Sequence, residues 1–164
     1  MNVYWLVGLA LSAVVGLWVL HFVSYSVLKN RILHRRRWDL NICCGETDGG
    51  GINADIVQHA QVPQLVLVDV YHLPFPDGAF DKVLSSHTVE HVTDPEGFFR
   101  ELARVGDEVT LVIPPLWDLS AVVNVFEHRW IFLSLRKVHT ALPEYVRLPL
   151  ARIVQQWLGQ RVRA

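Results

Sequence analysis

The first 28 residues contain neither lysine nor arginine, and the whole chain has only two cysteines, adjacent at Cys43 and Cys44. A secretory signal peptide usually begins with a basic region, so this absence argues against a cleaved signal. Neighbouring cysteines rarely form a disulfide with each other, and two alone do not have the spacing of a zinc site. We therefore expect a reduced, cytosolic setting for the bulk of the chain.

The chain also lacks a large net charge, since its formal charge is -1 at pH 7. Such a balance gives no global indication of a nucleic-acid partner. No internal repeat, Walker loop or Ser-His-Asp arrangement is evident. With 164 residues and 51% hydrophobic content, the chain can bury one core and not two.

An apolar run from Val3 to Leu28 is longer than the about 20 residues that cross a bilayer as a helix. Trp5 and Tyr25 lie near its two ends, where aromatic side chains favour the membrane interface. We therefore predict a transmembrane anchor over residues 1–28. Two other interpretations stay open: a signal peptide cleaved near Ser24, and a buried core helix.

A basic segment over residues 29–37 follows the apolar run directly. Because positive charge favours the cytoplasmic side, this segment predicts a single-pass protein with its amino terminus outside and its main domain in the cytoplasm. The segment could also contact anionic lipid headgroups.

Between residues 38 and 117, short apolar runs alternate with turns and one helix. An Asp94 cap followed by Pro95 begins that helix, and Gly106 ends it. The alternation predicts an α/β fold, Rossmann-like, with a mostly parallel sheet and flanking helices. The five predicted strands are 38–43, 52–56, 64–70, 80–86 and 108–113. The third is continuously apolar, so we expect it to be a central strand buried on both faces.

Two features of this region are typical of nucleoside sites. A glycine-rich turn, 45–51, follows the first strand, and Asp55 ends the second. Glycines let a ligand approach the backbone closely, and a carboxylate at that position can accept hydrogen bonds from ribose hydroxyls. Taken singly, a plain turn and a helix-capping Asp55 explain the same residues equally well.

The combined pattern resembles the small class I S-adenosylmethionine-dependent methyltransferases of the quinone-methylase-like group. The resemblance covers about residues 38–115. It rests on three stretches: 40–47 for the glycine motif, 51–56 for the acid, and 80–91 for the fourth-strand motif that contains Ser86-His87 and Glu90-His91.

The resemblance implies the cofactor S-adenosyl-L-methionine, and the predicted anchor suggests a methyl acceptor that is small or lipid-soluble. It also implies a set of cofactor-binding residues, with Asp55 on the ribose and the 69–75 stretch near the adenine. These residues are Asn41, Cys43, Gly45, Asp55, Asp69, Val70, Leu73, Ser86 and His87.

Two departures from the family pattern are visible. Cys43 and Thr47 stand where the family has glycines, and only Gly45 is kept. This departure favours an alternative function, a catalytically inactive membrane interaction module. The family's closing antiparallel hairpin is not evident either, and we expect residues 118–164 to be helical. An amphipathic helix over 148–162 could face the membrane or pack on the sheet, and both interpretations stay open.

Three histidines are candidate catalytic bases, for an acceptor that must lose a proton: His87, His91 and His128. The stretch from His87 through Glu90 to His91 also matches the inverted zinc-peptidase pattern, so a metal-dependent hydrolase is a further alternative. No distal third ligand stands out in the sequence, and we assign no metal ligands. A reactive thiol at Cys43 or Cys44, with a pKa lowered by the backbone of the turn, is also open.

Overall fold

A computed structural model of the chain describes residues 2–160. It begins with helix α1 (Val3–Phe22), which continues through a π-helical segment (Val23–Leu28) into α2 (Lys29–Leu33). Helix α1 has no buried residue, and its apolar side chains are exposed. At 1.5 Å per residue it is about 30 Å long, the thickness of a bilayer core. Val3–Leu33 is the only candidate membrane span by length and hydropathy within residues 2–160.

The main sheet has six strands in the order β3-β2-β1-β4-β5-β7, and the first five run parallel. A two-stranded sheet is formed by β6 and β8. The strand bounds are β1 Leu40–Ile42, β2 Ile52–Asp55, β3 Leu65–Leu67, β4 Phe80–Ser86, β5 Gly106–Val112, β6 Trp130–Phe132, β7 Val138–His139 and β8 Tyr145–Arg147.

The prediction that the third strand is central and buried on both faces is wrong. β3 lies at the edge of the sheet and pairs only with β2 among the described residues. Leu67 is 60% exposed. An apolar run shows that residues avoid water, but it does not show the order in which strands pair, and here β1 and β4 occupy the centre.

The carboxyl-terminal prediction also needs correction. β7 pairs antiparallel with β5, so a short antiparallel strand does close the sheet. Residues 118–160 are not helical throughout, because α4 (Leu119–Val122) and α5 (Ala151–Leu158) flank three strands. Strands of two or three residues are too short to show an alternating pattern in the sequence. The part of the predicted 148–162 helix beyond residue 160 lies outside the described residues.

The two faces of the sheet are covered by different helices. On one face, α3 (Pro95–Val105) buries Phe98, Leu102 and Val105, and its predicted Asp94 cap is confirmed by a 3.0 Å bond from the Gly97 N–H. Strand side chains alternate between faces. The opposite face carries a second cluster in which Leu33 and Trp38 pack on the sheet.

The end of the amino-terminal helix therefore takes a place that a crossover helix would otherwise fill. The connections over residues 43–51 and 56–64 contain no helix. The Trp38 indole N–H donates to the Leu33 carbonyl at 2.9 Å, which fixes the helix end to the start of β1. The long helix is thus part of the folded domain at its carboxyl end.

Candidate active site

A cavity of about 890 Å³ lies where β1, β2 and β4 end. Parallel α/β sheets bind ligands at the carboxyl ends of their strands, and this cavity has the size of a small-molecule site. Its walls come from the loop after β1, the end of β2, the turn after β4, the loop after α4, and the amino-terminal helix.

The glycine-rich loop is held by two buried amide side chains. Asn41 donates through Nδ2 to the Thr47 carbonyl at 2.9 Å and to Asn53 Oδ1 at 3.1 Å. Asn53 Oδ1 also accepts from the Gly49 N–H at 2.9 Å. Asn41 was expected to bind the cofactor directly, and it lines the cavity while organising the loop. Sequence reasoning missed Asn53, whose only signal was a polar residue within an apolar strand.

The Asp55 carboxylate is 4% exposed and lines the cavity. Its Oδ2 accepts from the Gly45 N–H at 2.9 Å, and its Oδ1 accepts from the Ile56 N–H at 2.7 Å. Each carboxylate oxygen has two lone pairs, so each can still accept one hydroxyl. This arrangement fits the predicted contact with a ribose.

The first turn of the loop has two residues in the left-handed region, Cys43 at φ 52° and Gly45 at φ 55°. Glycine adopts this conformation without strain, whereas a residue with a Cβ does not. Burial and the Asp55 carboxylate raise the pKa of the Cys43 thiol well above its usual range, and they raise the pKa of Cys44 to about 11. The alternative that Cys43 or Cys44 is a reactive thiol with a lowered pKa is therefore wrong.

The other predicted cofactor residues separate into two groups. Asp69, Val70 and Ser86 line the cavity, and the buried Ser86 Oγ has no hydrogen-bond partner among the described residues. An unpaired buried hydroxyl in a cavity wall fits a polar ligand. Leu73, by contrast, lies in the hydrophobic core, and its N–H donates to Glu101 Oε1 at 2.7 Å.

His87 begins the turn after β4 with φ 55°, a strained conformation for a histidine. Its Nε2 accepts from Lys137 Nζ at 3.0 Å, and its Nδ1 lies 3.2 Å from Glu90 Oε1. Burial lowers the pKa of His87, and burial also lowers the pKa of Lys137 to about 8. Nε2 is used by Lys137 and Nδ1 faces the Glu90 carboxylate, so His87 is poorly placed to take a proton from an acceptor.

His91 and His128 face each other across the cavity wall, with ring centroids 4.8 Å apart. The Nδ1–H of His91 donates to the Glu127 carbonyl at 3.0 Å, which leaves Nε2 as the basic nitrogen. Burial lowers the pKa of His128 to about 4, so its imidazole is neutral at pH 7. All three predicted histidines line one cavity, and His91 has its Nε2 free of hydrogen bonds within residues 2–160, whereas burial makes His128 a weaker base.

The inverted zinc-peptidase pattern occurs on a turn and not on a helix. His87 does not join Glu90 and His91 in a ligand set; the distal His128 does. One oxygen or nitrogen from each of Glu90, His91 and His128 lies within 4.8 Å of the others. Glu90 is 1% exposed, and its burial was not predicted from the sequence.

The amino-terminal helix contributes cavity residues that sequence reasoning missed, among them His21, Tyr25 and Lys29. His21 Nδ1 lies 3.1 Å from the buried Asp118 carboxylate, and the Tyr25 ring meets the edge of His87 at 5.2 Å. Polar and aromatic positions late in an apolar helix were the only signal. The helix and the cavity are therefore one structural unit.

Residues 42–108 match the family model of the methyltransferase domain. The match covers less than half of the chain and shows that this region is similar to methyltransferase domains. The ajmaline N-methyltransferase of Rauvolfia serpentina is 49% identical over 45 residues, which cover 27% of this chain. The norajmaline N-methyltransferase of the same plant is 51% identical over 37 residues, or 23% of this chain. The matched segments are 16% and 13% of those relatives' own lengths.

Solved structures with a similar core include the YcgJ protein of Bacillus subtilis, with 19% identity and a TM-score of 0.42. That alignment covers 53% of this chain and 50% of the other. An S-adenosylmethionine-dependent methyltransferase of Thermotoga maritima has 18% identity and a TM-score of 0.43, with 63% and 56% of the two chains covered.

Proposed function

We propose that the protein is a membrane-anchored S-adenosylmethionine-dependent methyltransferase that acts on a small or lipid-soluble acceptor. The observation that carries the proposal is the shared cavity. Asp55 and Ser86 line it from the methyltransferase core, and Tyr25 and Lys29 line it from the amino-terminal helix. An apolar helix that ends inside a cofactor cavity connects that cavity to the membrane surface.

The residues present fit the family's cofactor. Asp55 would accept the ribose hydroxyls, the unpaired Ser86 hydroxyl would bind a polar group of the amino-acid part, and the Gly45 turn would lie against the nucleoside. S-adenosylmethionine, when bound, supplies an electrophilic methyl group on a sulfonium sulfur. The chain's own contribution is to hold the acceptor in line and to exclude water, and such positioning lowers a barrier by roughly 7–11 kcal/mol.

His91 is the base in this proposal. His91 Nε2 would take the proton of an acceptor hydroxyl or amine when that group is methylated. The Glu127 carbonyl holds the His91 ring through Nδ1. An acceptor that is already nucleophilic needs no base, and then His91 only orients it.

The proposal of a lipid-soluble acceptor rests on the position of the amino-terminal helix, whose carboxyl end lines the cavity. If α1 crosses the bilayer, the segment from Val23 to Leu33 lies at the membrane surface with the cavity beside it. Lys137 reaches this segment and donates to the buried Ser24 hydroxyl at 2.9 Å. The acceptor could then pass from the membrane to the cavity along the helix.

Helix α5 supports a second membrane contact. Ile153, Trp157 and Leu158 are exposed on it, with Trp157 85% exposed. An amphipathic helix with a tryptophan at its surface favours a membrane interface. In a chain that lacks residues 2–22, we expect Trp157→Ala with Leu158→Ala to abolish liposome binding. Unchanged binding would remove α5 from the proposal.

The activity is tested with the full chain in lipid nanodiscs and S-adenosylmethionine that carries a labelled methyl group. Lipid-phase and aqueous small-molecule fractions of cells are offered separately as acceptors. We expect label in a lipid-phase product, and none with Asp55→Ala. Label confined to the aqueous fraction would contradict the lipid acceptor, and no label in either fraction would contradict the activity.

Topology is tested by protease protection in right-side-out vesicles. The proposal requires the carboxyl-terminal domain to be protected and the amino terminus to be accessible. Digestion of the domain in intact vesicles would contradict the proposed orientation.

A membrane interaction module without activity is a second candidate, favoured by one observation. Cys43 occupies a left-handed position where the family has glycine, and its side chain narrows the cavity beside the backbone. This candidate predicts a well-folded protein that does not bind S-adenosylmethionine.

A further inference from the structure

The Glu90 side chain is a buried carboxylate without the hydrogen bonds that such a group normally has. It is 1% exposed, and neither of its oxygens has a hydrogen-bond partner among the described residues. Oε1 has one polar neighbour, His87 Nδ1 at 3.2 Å, and Oε2 has no partner among the described residues. Buried carboxylates are ordinarily paired or coordinate a metal.

His91 has the arrangement of a metal-ligating histidine. Its Nδ1–H donates to the Glu127 carbonyl at 3.0 Å, which fixes the tautomer with the lone pair on Nε2. Histidines that bind metals almost always donate their second nitrogen to a carbonyl or carboxylate in this way. No hydrogen bond to Nε2 is formed within residues 2–160.

His128 completes the group from a distant part of the chain. It is 5% exposed, and its ring is packed against that of His91. Neither ring nitrogen has a hydrogen bond within residues 2–160, and the ring lines the cavity. Its neighbours Asn124 and Gln155 hold the backbone here, because the His128 N–H donates to the Asn124 carbonyl and Gln155 donates to the His128 carbonyl.

We propose that Glu90, His91 and His128 bind one divalent transition-metal ion beside the cavity. Two imidazoles and a carboxylate suit zinc and its neighbours in the first transition row better than magnesium or calcium. The three ligand atoms now lie within 4.8 Å of one another, and ligands of a tetrahedral zinc are about 3.4 Å apart. Small side-chain rotations therefore close the site.

Three protein ligands leave a coordination position open. His91 and His128 both line the cavity, so a ligand in that position comes from the cavity. If the proposed methyltransferase activity is right, a metal would replace His91 as the activating group, because a metal-bound Nε2 has no lone pair left to take a proton. An acceptor oxygen or nitrogen bound to the metal would then lose its proton more easily. This role rests on the proposed function, whereas metal binding itself does not.

One competing explanation exists for the Glu90 charge. Lys137 contacts His87, and His87 contacts Glu90, so the lysine could supply the counter-charge through the imidazole. This series of contacts from Lys137 through His87 ends at Glu90 Oε1. It explains neither Oε2 nor the free nitrogens of His91 and His128, which are the atoms that a metal would use.

The test uses the full chain without a histidine tag, in detergent micelles, titrated with Co²⁺ as a spectroscopic substitute for Zn²⁺. We expect one ion per chain, with visible absorption of four- or five-coordinate cobalt, and displacement by Zn²⁺. Glu90→Gln and His128→Asn should each weaken binding by more than the roughly 10–100-fold typical of an outer-shell substitution. The control, His34→Asn, removes an exposed histidine and should bind like the parent chain.

The proposal is overturned if the parent chain binds no Co²⁺, or if Glu90→Gln and His128→Asn both bind it as the parent does. Thermal denaturation checks that the variants fold, and Zn²⁺ should raise the melting temperature of the parent but not of a folded Glu90→Gln. Cobalt binding is measured without S-adenosylmethionine, so a negative result would not bear on the cofactor site, which a separate titration tests.

Discussion

Two buried carboxylates near the cavity, Asp55 and Glu90, have different surroundings. Asp55 ends β2 and accepts backbone N–H groups on both oxygens. Glu90 lies in the turn after β4 and has no hydrogen bond on either oxygen within residues 2–160. The backbone satisfies Asp55 without a ligand, whereas Glu90 has only the His87 ring beside Oε1 and no partner at Oε2 among the described residues.

The difference separates two ways of building a site. At Asp55 the fold uses the carboxylate twice, to close its own loop and to present lone pairs to a ligand. Burial alone would raise the pKa of the Glu90 carboxyl, but contact with His87 lowers that pKa to about 2. Asp55 is therefore a preformed binding position, and Glu90 belongs to a site that the proposed metal ion would complete.

The largest expected effect is the loss of stability in Asp55→Ala. The Gly45 and Ile56 N–H groups lose their acceptors, which costs about 1–3 kcal/mol for each group left unpaired. Glu90→Gln should cost less in metal-free buffer, because it removes the contact with His87 but leaves no backbone N–H without its acceptor. Chemical denaturation in detergent measures both, and equal losses would contradict the comparison.

Acid should destabilise the protein through His128. Its pKa falls from 6.5 in the unfolded chain to about 4 in the folded one, so the folded state prefers the neutral ring. The resulting stability, on the order of 3 kcal/mol, is fully present above pH 6.5 and is lost as the pH falls through about 4.

The measurement is the free energy of unfolding at pH 7 and at pH 4, with a chelator present. His128→Asn should lose less stability than the parent over that range, and the exposed His34→Asn should match the parent. An identical pH dependence in His128→Asn and the parent would refute this assignment.

A smaller effect is expected at Cys43, where the glycine loop departs from the family pattern. Cys43→Gly removes a Cβ from a left-handed position and should tighten S-adenosylmethionine binding by about 1 kcal/mol, or several-fold. Cys43→Ala keeps the Cβ and removes only the thiol, so it should bind like the parent. If Cys43→Ala tightens binding as much as Cys43→Gly does, the thiol group and not the backbone conformation limits the affinity for S-adenosylmethionine.

Local signals were read correctly from the sequence, and long-range ones were not. Asp94, Pro95 and Gly106 define α3 because caps act within one helical turn. The edge position of β3 and the pairing of β7 with β5 depend on partners far along the chain, which no local pattern records. The candidate metal site could not be predicted for the same reason, because His128 lies near Glu90 and His91 only in the folded protein.

The cofactor site is the central claim, and calorimetric titration of S-adenosylmethionine into the full chain in detergent tests it most directly. Asp55→Ala is the paired variant, with its fold verified first. The account predicts micromolar binding by the parent chain that is lost in the variant. A well-folded parent chain that binds no S-adenosylmethionine, with lipid present as well as absent, would contradict the account and favour an inactive membrane module.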